Sequence, residues 1–330
     1  MLVMTKAMLA LMMGFIVAVI IALIVIPILK RINIKQIEST YLSKKHKKKQ
    51  GTPTMGGIIF ILSTLITMTI FICFKKVNVS TNLLLVMFVF LSFALIGFID
   101  DFLIIKRKNN IGLTEIQKLF LQALVSLVFY FIYMKSGANP VLEIHTLGIT
   151  INMGLFYSLF IMFMLVASSN AVNITDGLDG LAGGLAVLAY LAFALISWNT
   201  FAINGTEDIA IFIFVLVGSL IGFLVFNTYP AKIFMGDTGS LALGATLASI
   251  AIITKHEITF IVVMLLFIFE TVVCLIQIIS MVFFHKKVFL MTPYHHHLEK
   301  LGWTETDIVK LFWTIGLVLS MGAIIFGVWL

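Results

Sequence analysis

MLALMMGFIVAVIIALIVIPIL, residues 8–29, holds no charged side chain along its whole length. A helix of that length covers the roughly 30 Å of bilayer hydrocarbon, and uncharged runs of about 18 residues or more mark membrane-crossing helices. It is too long for a signal-peptide core, and no clear small-residue cleavage site follows it, so it reads as a retained first span.

Similar runs recur outward from this one. Ten candidate spans lie near residues 8–29, 56–74, 82–100, 119–134, 154–170, 181–198, 208–226, 239–254, 258–283 and 309–329. The composition agrees: 61% of residues are hydrophobic and 11% charged, against about 25% charged in a soluble domain. Barrel strands would be shorter and alternating, so helices are expected. No repeat, low-complexity tract or linker interrupts the pattern. The reading is an all-α membrane protein, with residues 1–330 forming a single integral domain.

The basic residues orient it. Loops after odd-numbered spans hold 17 of the 22 Lys and Arg, with eight in the first loop alone. Cytoplasmic loops collect such residues, which places both termini outside a bacterial inner membrane. The net charge of +7 is read the same way. No zinc-finger spacing or RNA-binding signature accompanies it, so no nucleic-acid partner is expected. Cys73 and Cys274 lie in apolar runs and read as small buried hydrophobes, with no disulfide between them.

Five acids, Asp100, Asp101, Asp176, Asp179 and Asp237, fall at cytoplasmic ends of spans. Acids at that depth are costly and usually functional. The first loop, KKHKKKQGTPTMGG, sets Lys49 beside a Gly- and Thr-rich turn containing Thr54. Such a turn suits a phosphate, and capping of the next helix is its plainer use. In FIDDFLIIKRKNNIGL, Asp100 and Asp101 point about 100° apart on a helix, so they are expected to do different jobs. One could bind a metal and the other act as a base; both could instead pair with Lys106 or Lys108 at a solvated helix end. In NAVNITDGLDGLAGG, Asn173, Asp176 and Asp179 follow an i, i+3, i+6 spacing, one stripe of oxygen ligands if the segment is helical. Asp-Gly turns are the alternative. In FNTYPAKIFMGDTGSLALG, Asp237 is either a site residue or the N-cap of the eighth span, while Phe234 could stack on a base and Asn227 bond a polar group. In TPYHHHLEKLGW, His295, His296 and His297 cannot share one helix face, so contact with phosphate fits them better than zinc ligation.

Hard oxygen donors point to Mg²⁺ or Mn²⁺. Carboxylates, lysines and a Gly-rich turn on one membrane face point to a diphosphate. Such a set suits phosphoryl transfer between a soluble nucleotide and a lipid.

The five loops, in order, resemble those of the phospho-N-acetylmuramoyl-pentapeptide transferases, a branch of the polyprenyl-phosphate N-acetylhexosamine-1-phosphate transferases. The Asp-Asp and NxxDGLDG elements belong to the wider superfamily, and TPTMGG and Pro-Tyr-His-His-His to this branch. The resemblance implies ten transmembrane helices with both ends outside, and Mg²⁺ dependence. It also implies transfer of phospho-MurNAc-pentapeptide from UDP-MurNAc-pentapeptide to undecaprenyl phosphate within the lipid bilayer, giving lipid I and UMP. A homodimer and susceptibility to uridine-containing nucleoside antibiotics are implied too. By position, Asp100 and Asp101 match the family's active-site aspartate pair and Asp237 its Mg²⁺ ligand; Asp100 and Asp101 are metal candidates as well. Asp176 and Phe234 match residues that hold uracil, with Asn173, Asp179 and Asn227 around them. Lys49 and Thr54 match a Lys and a Thr near the nucleotide, and His295, His296 and His297 match the His-rich loop. Direct attack by the lipid phosphate and a covalent route through an aspartate both remain open. The competing readings are a sibling enzyme using UDP-GlcNAc and an ion transporter, although transporters place acids near the midplane.

Overall fold

The computed structural model describes residues 2–31, 52–107, 112–144, 147–200, 203 and 205–329. Lys49 lies outside them. The helices are α1 (Leu2–Arg31), α2 (Gly57–Cys73), α3 (Thr81–Arg107), α4 (Glu115–Lys135), α5 (Phe156–Thr175), α6 (Leu181–Asn199), α7 (Thr206–Asn227), α8 (Gly236–Ile253), α9 (Glu257–Val263), α10 (Leu265–Ile279), α11 (Tyr294–Lys300) and α12 (Glu305–Ile324). Among the described residues, nine helices are long and apolar enough to cross a membrane, and α2, with 17 residues, is a shorter apolar one. The chain is thus an all-helical, multi-pass membrane protein.

The apolar run 258–283 is divided at Met264 into α9 and α10. One feature departs from the sequence reading. Between α4 and α5, strands β1 (Val141–Ile144) and β2 (Ile149–Asn152) pair antiparallel, with Val141 opposite Asn152. Strands of four residues are too short to show a periodicity. The cysteines are free thiols, as expected, but Cys73, at the end of α2, is exposed rather than buried.

Helix α8 forms the centre. Of its most apolar window, 89% is buried, against 22% for α4 and for the span beginning with α10. Its sequence, GDTGSLALGATLASIAII, is rich in small residues, which let neighbouring backbones close in where lipid offers no hydrophobic drive. A Cβ on Gly244 would lie 2.2 Å from Ser168 O of α5, and one on Gly97 of α3 would lie 2.1 Å from Asp237 O. Helices α3 and α5 therefore pack on α8 at backbone contact. Buried hydroxyls turn back on their own helices, as Ser126 Oγ does to Gln122 O at 2.7 Å and Thr175 Oγ1 to Ala171 O at 2.8 Å. In hydrocarbon every polar group has to be satisfied inside the protein.

The far end of α8, opposite Asp237, is fastened by Lys255. Its Nζ donates to Asn139 O, Val141 O and the Tyr157 hydroxyl at 2.9, 3.0 and 2.9 Å. The Tyr157 hydroxyl in turn donates to Glu257 Oε1 at 3.0 Å. This network joins the hairpin, α5 and α9 to the end of the central helix.

Gly244→Ala is expected to cost about 1–3 kcal/mol by overpacking the α5–α8 seam. A thermal unfolding scan of purified protein in detergent should register a lower melting temperature, whereas an unchanged one would mean that α5 yields freely.

Candidate active site

The last turns of α3 present the aspartate pair, and their roughly 100° separation sends them to different partners. Asp101 reaches across to the start of α8. Its Oδ1 accepts from Asp237 N at 3.3 Å, and its Oδ2 accepts from Thr238 N at 3.0 Å and from Thr238 Oγ1 at 2.6 Å. Helix α8 has no side-chain cap of its own. Asp101 supplies that cap from another helix. The N-cap reading of Asp237 is thereby corrected, because Asp237 sits in the first turn and leaves capping to Asp101.

Asp100 and Asp237 converge on Lys118. Lys118 Nζ lies 2.7 Å from Asp237 Oδ2 and 3.4 Å from Asp100 Oδ1. Asp100 Oδ1 also accepts from Leu113 N at 2.8 Å, and Asp237 Oδ1 accepts from Asn173 Nδ2 at 2.7 Å. Lys118 owes its place to a capping box on α4, in which Thr114 Oγ1 accepts from Gln117 N at 3.2 Å and Gln117 Oε1 accepts from Thr114 N at 3.0 Å. Of the pair, Asp100 therefore has Lys118 beside it, and Lys108 lies outside the described residues.

The first and fourth loops run side by side. Phe234 N donates to Pro53 O, Gly56 N to Phe234 O and Gly57 N to Met235 O, at 2.8, 2.8 and 2.9 Å. Thr54 is buried in this seam. A Cβ on Gly236 would lie 2.6 Å from Asp101 Oδ2 and 2.8 Å from Thr54 Oγ1, and its φ of +73° also calls for glycine. Phe234 is half-buried. Asn227 is buried, and its Nδ2 donates to Ile233 O at 2.9 Å, so it braces the turn beneath Phe234.

The third loop is not a helical stripe. Helix α5 ends at Thr175, Asp176 is its C-cap with φ −78° and ψ 50°, and Gly180 takes a φ of +79°. The two Asp-Gly pairs turn the chain, as their composition favours. Asn173 stays on α5 and faces Asp237. Asp179 is buried and points elsewhere: its Oδ2 accepts from Ala231 N at 2.9 Å, while its N–H donates to Glu305 Oε1 at 2.7 Å. It ties the third loop to the fourth.

The three histidines have three surroundings. His295 is fully buried, with Nδ1 3.3 Å from Glu270 Oε1. Burial pulls its imidazole below the usual range, so the ring is neutral near pH 7. His296 Nδ1 lies 2.7 Å from Glu299 Oε2. His297 Nδ1 accepts from Leu290 N at 3.1 Å and its ring lies against Tyr294.

Lys118, Gln122, Asn170, Glu270 and Glu305 were missed as site or support residues. Asn170 Nδ2 donates to Gln122 Oε1 at 2.8 Å, continuing the Lys118–Asn173 seam one turn deeper. For Gln122, Asn170 and Glu270 the overlooked signal was a polar or charged side chain inside an apolar span. Among the described residues, no group of three or more His, Cys, Asp or Glu side chains could by itself hold a metal ion. Asp100 and Asp237 do converge on one cationic group, so two carboxylates can share a positive charge there.

The chain resembles known proteins over nearly its whole length. Residues 82–255 match the model for glycosyl transferase family 4, and residues 49–61 match phospho-N-acetylmuramoyl-pentapeptide-transferase signature 1. The chain is 45% identical over 322 residues to the phospho-N-acetylmuramoyl-pentapeptide-transferase of Geobacillus sp. (strain WCH70), covering 98% of each. To that of Bacillus subtilis (strain 168) it is 43% identical over 318 residues, 96% of this chain and 97% of the relative. To that of Halalkalibacterium halodurans it is 44% identical over 322 residues, 98% of each. The chain belongs to the phospho-N-acetylmuramoyl-pentapeptide-transferase family.

Proposed function

We propose that this chain transfers phospho-MurNAc-pentapeptide from UDP-MurNAc-pentapeptide to undecaprenyl phosphate, forming lipid I and UMP in peptidoglycan synthesis. The observation that carries the reading is the convergence of Asp100 and Asp237 on Lys118, in a chain of this family. An oxygen of the lipid phosphate attacks the phosphorus that bears the sugar, and the bond from that phosphorus to UMP breaks. The second pKa of a phosphate lies near neutrality, so the attacking group needs little help from a base. Lys118 offsets negative charge where the two phosphates meet. Lys49 and Thr54 belong to the nucleotide side in this reading. Asp176 and Phe234 hold the uracil, Asn173 orients Asp237, and Asp179 and Asn227 hold the loops that carry them. His295, His296 and His297 stand beside the third loop, where Gly177 lies against the His295 ring.

The donor set fits Mg²⁺. This ion is commonly bound by one or two carboxylates together with substrate phosphates, keeping waters for the rest. Asp237 and Asp100, which now share the Lys118 ammonium, would hold it. Asp101, read as a further metal candidate, has both carboxylate oxygens engaged by α8. When bound, the ion offsets charge on the departing UMP.

The lipid chain has a place as well. A cavity of about 390 Å³ runs between α5 and the bend from α9 to α10, lined by Phe163, Ala167, Ala171, Ile268 and Val272 among others. The remaining parts of the reading are a single integral domain, ten crossings of a bacterial inner membrane with both termini outside, and a homodimer. Uridine-containing nucleoside antibiotics would compete for the nucleotide pocket.

UMP release, assayed with undecaprenyl phosphate and Mg²⁺, is expected from UDP-MurNAc-pentapeptide and not from UDP-GlcNAc. Removing Mg²⁺ with a chelator should stop it, and adding the ion back should restore it. Asp237→Asn and Asp100→Asn are expected to lower the rate by about 10²–10³-fold, with partial recovery at high Mg²⁺ and little change in melting temperature. Asp101→Asn replaces an acceptor oxygen with a donor facing N–H groups, so it should lower the melting temperature too. A phosphosugar-enzyme adduct trapped without lipid would overturn direct attack.

A bulky substitution in the cavity, Ala167→Trp, should raise KM for undecaprenyl phosphate and leave KM for the nucleotide sugar in place. Equal effects on both would remove the cavity from the lipid site.

A further inference from the structure

Glu270 is a fully buried carboxylate on α10, and nothing in the proposed reaction uses it. Its two oxygens accept backbone N–H groups at the start of α11, from Tyr294 at 2.5 Å and from His295 at 3.2 Å. The same carboxylate lies 3.3 Å from His295 Nδ1. The other side of that ring meets the third loop. A Cβ on Gly177 would lie 2.2 Å from His295 Nε2, so the Gly177 backbone rests directly on the imidazole. Gly177 has no positive φ, so the ring, and no torsional demand, excludes a side chain there. Gly177 follows Asp176 in the segment that turns away from α5 after Asn173.

We infer that Glu270 is a positioning residue for the nucleotide: it sets the His295 ring, and the ring sets the backbone of the loop that presents Asp176. The inference deepens the nucleotide reading given above and rests on it. An isolated buried carboxylate is expensive. Here two backbone N–H groups bond to it and the His295 ring lies beside it, and together they fix where α11 starts. Because α10 also lines the lipid cavity through Ile268, Thr271 and Val272, the loop is referenced to a membrane helix rather than to solvent-facing chain.

The test uses the full-length protein and compares wild type with Glu270→Leu, Glu270→Gln, Gly177→Ala, His295→Ala and the double variant Gly177→Ala/His295→Ala. KM and kcat are read for UDP-MurNAc-pentapeptide, and UMP affinity is measured by equilibrium binding without turnover. Glu270→Leu is expected to raise both KM and the Kd for UMP by about tenfold, the scale of one charge-assisted hydrogen bond, while KM for undecaprenyl phosphate holds. Glu270→Gln, which keeps one acceptor oxygen but turns an NH2 toward the other N–H, should recover only part of that loss. Gly177→Ala should weaken UMP binding when His295 is present and add little in the His295→Ala background. Additive effects of Gly177→Ala and His295→Ala would overturn the inference, as would a loss confined to kcat. Should Glu270→Leu fail to fold, the Gly177–His295 cycle decides alone. Absence of UMP release by wild type would instead remove the functional reading, and the UMP-binding arm would still judge the positioning role.

Discussion

The contact between Asp101 and the first turn of α8 sets the geometry of everything around it. Helix α8 is almost wholly buried, and the N–H groups that open any helix lack partners within it. Water cannot be relied upon at that depth, so an acceptor has to come from the protein. Asp101 accepts from two N–H groups and one hydroxyl there. The contact needs the ends of α3 and α8 at backbone distance, which Gly97 permits. Once the two ends are held, Asp100 and Asp237 face the same space. The site is a by-product of how the central helix is capped.

The same device recurs around the site. Asp101 caps α8, Glu270 caps α11, and Glu305 accepts the N–H of Asp179. Each is an acid from one segment bonded to the backbone of another. Charge-assisted bonds of this kind are roughly twice as strong as neutral ones, and they are well suited to fixing loops at the edge of a bilayer. They also divide the acids into two sets. Asp100, which also accepts from Leu113 N, and Asp237 turn toward a cation, while Asp101, Asp179 and Glu270 accept from backbone N–H groups and shape the walls.

That division explains how far the sequence could be read. Hydropathy located the apolar helices, because the bilayer imposes length and composition on each of them separately. The loops that carry the site were also visible, as polar motifs between apolar runs. What each acid does was not, since residue type is the same for a wall and for a working group. Asp179 and Asn227 looked like ligands and turned out to brace turns. The i, i+3, i+6 spacing of Asn173, Asp176 and Asp179 suggested a stripe, yet the Asp-Gly pairs in the same segment end the helix at Thr175. Lys118 was counted as a topology charge, and only the packing of α4 against α3 and α5 reveals its two partners. The hairpin strands are too short to show a periodicity, and no local pattern places the bend of the ninth run at Met264.

Helix α5 shows why a reaction between a water-soluble and a lipid-borne phosphate suits this frame. Its last turn holds Asn173, which donates to Asp237. Ala171, Ala167 and Phe163, at successive four-residue steps down the same helix, line the apolar cavity. The rise from Ala171 to Asn173 is about 3 Å. A chain lying along that face therefore delivers its headgroup to within a few ångströms of the carboxylates, without leaving hydrocarbon until the last turn. The nucleotide approaches the same acids from the loops, over a backbone seated on His295. On the proposed reading, one rigid helix sets the spacing between the two substrates, and the cost of bringing unlike molecules together is met by folding rather than at each turnover.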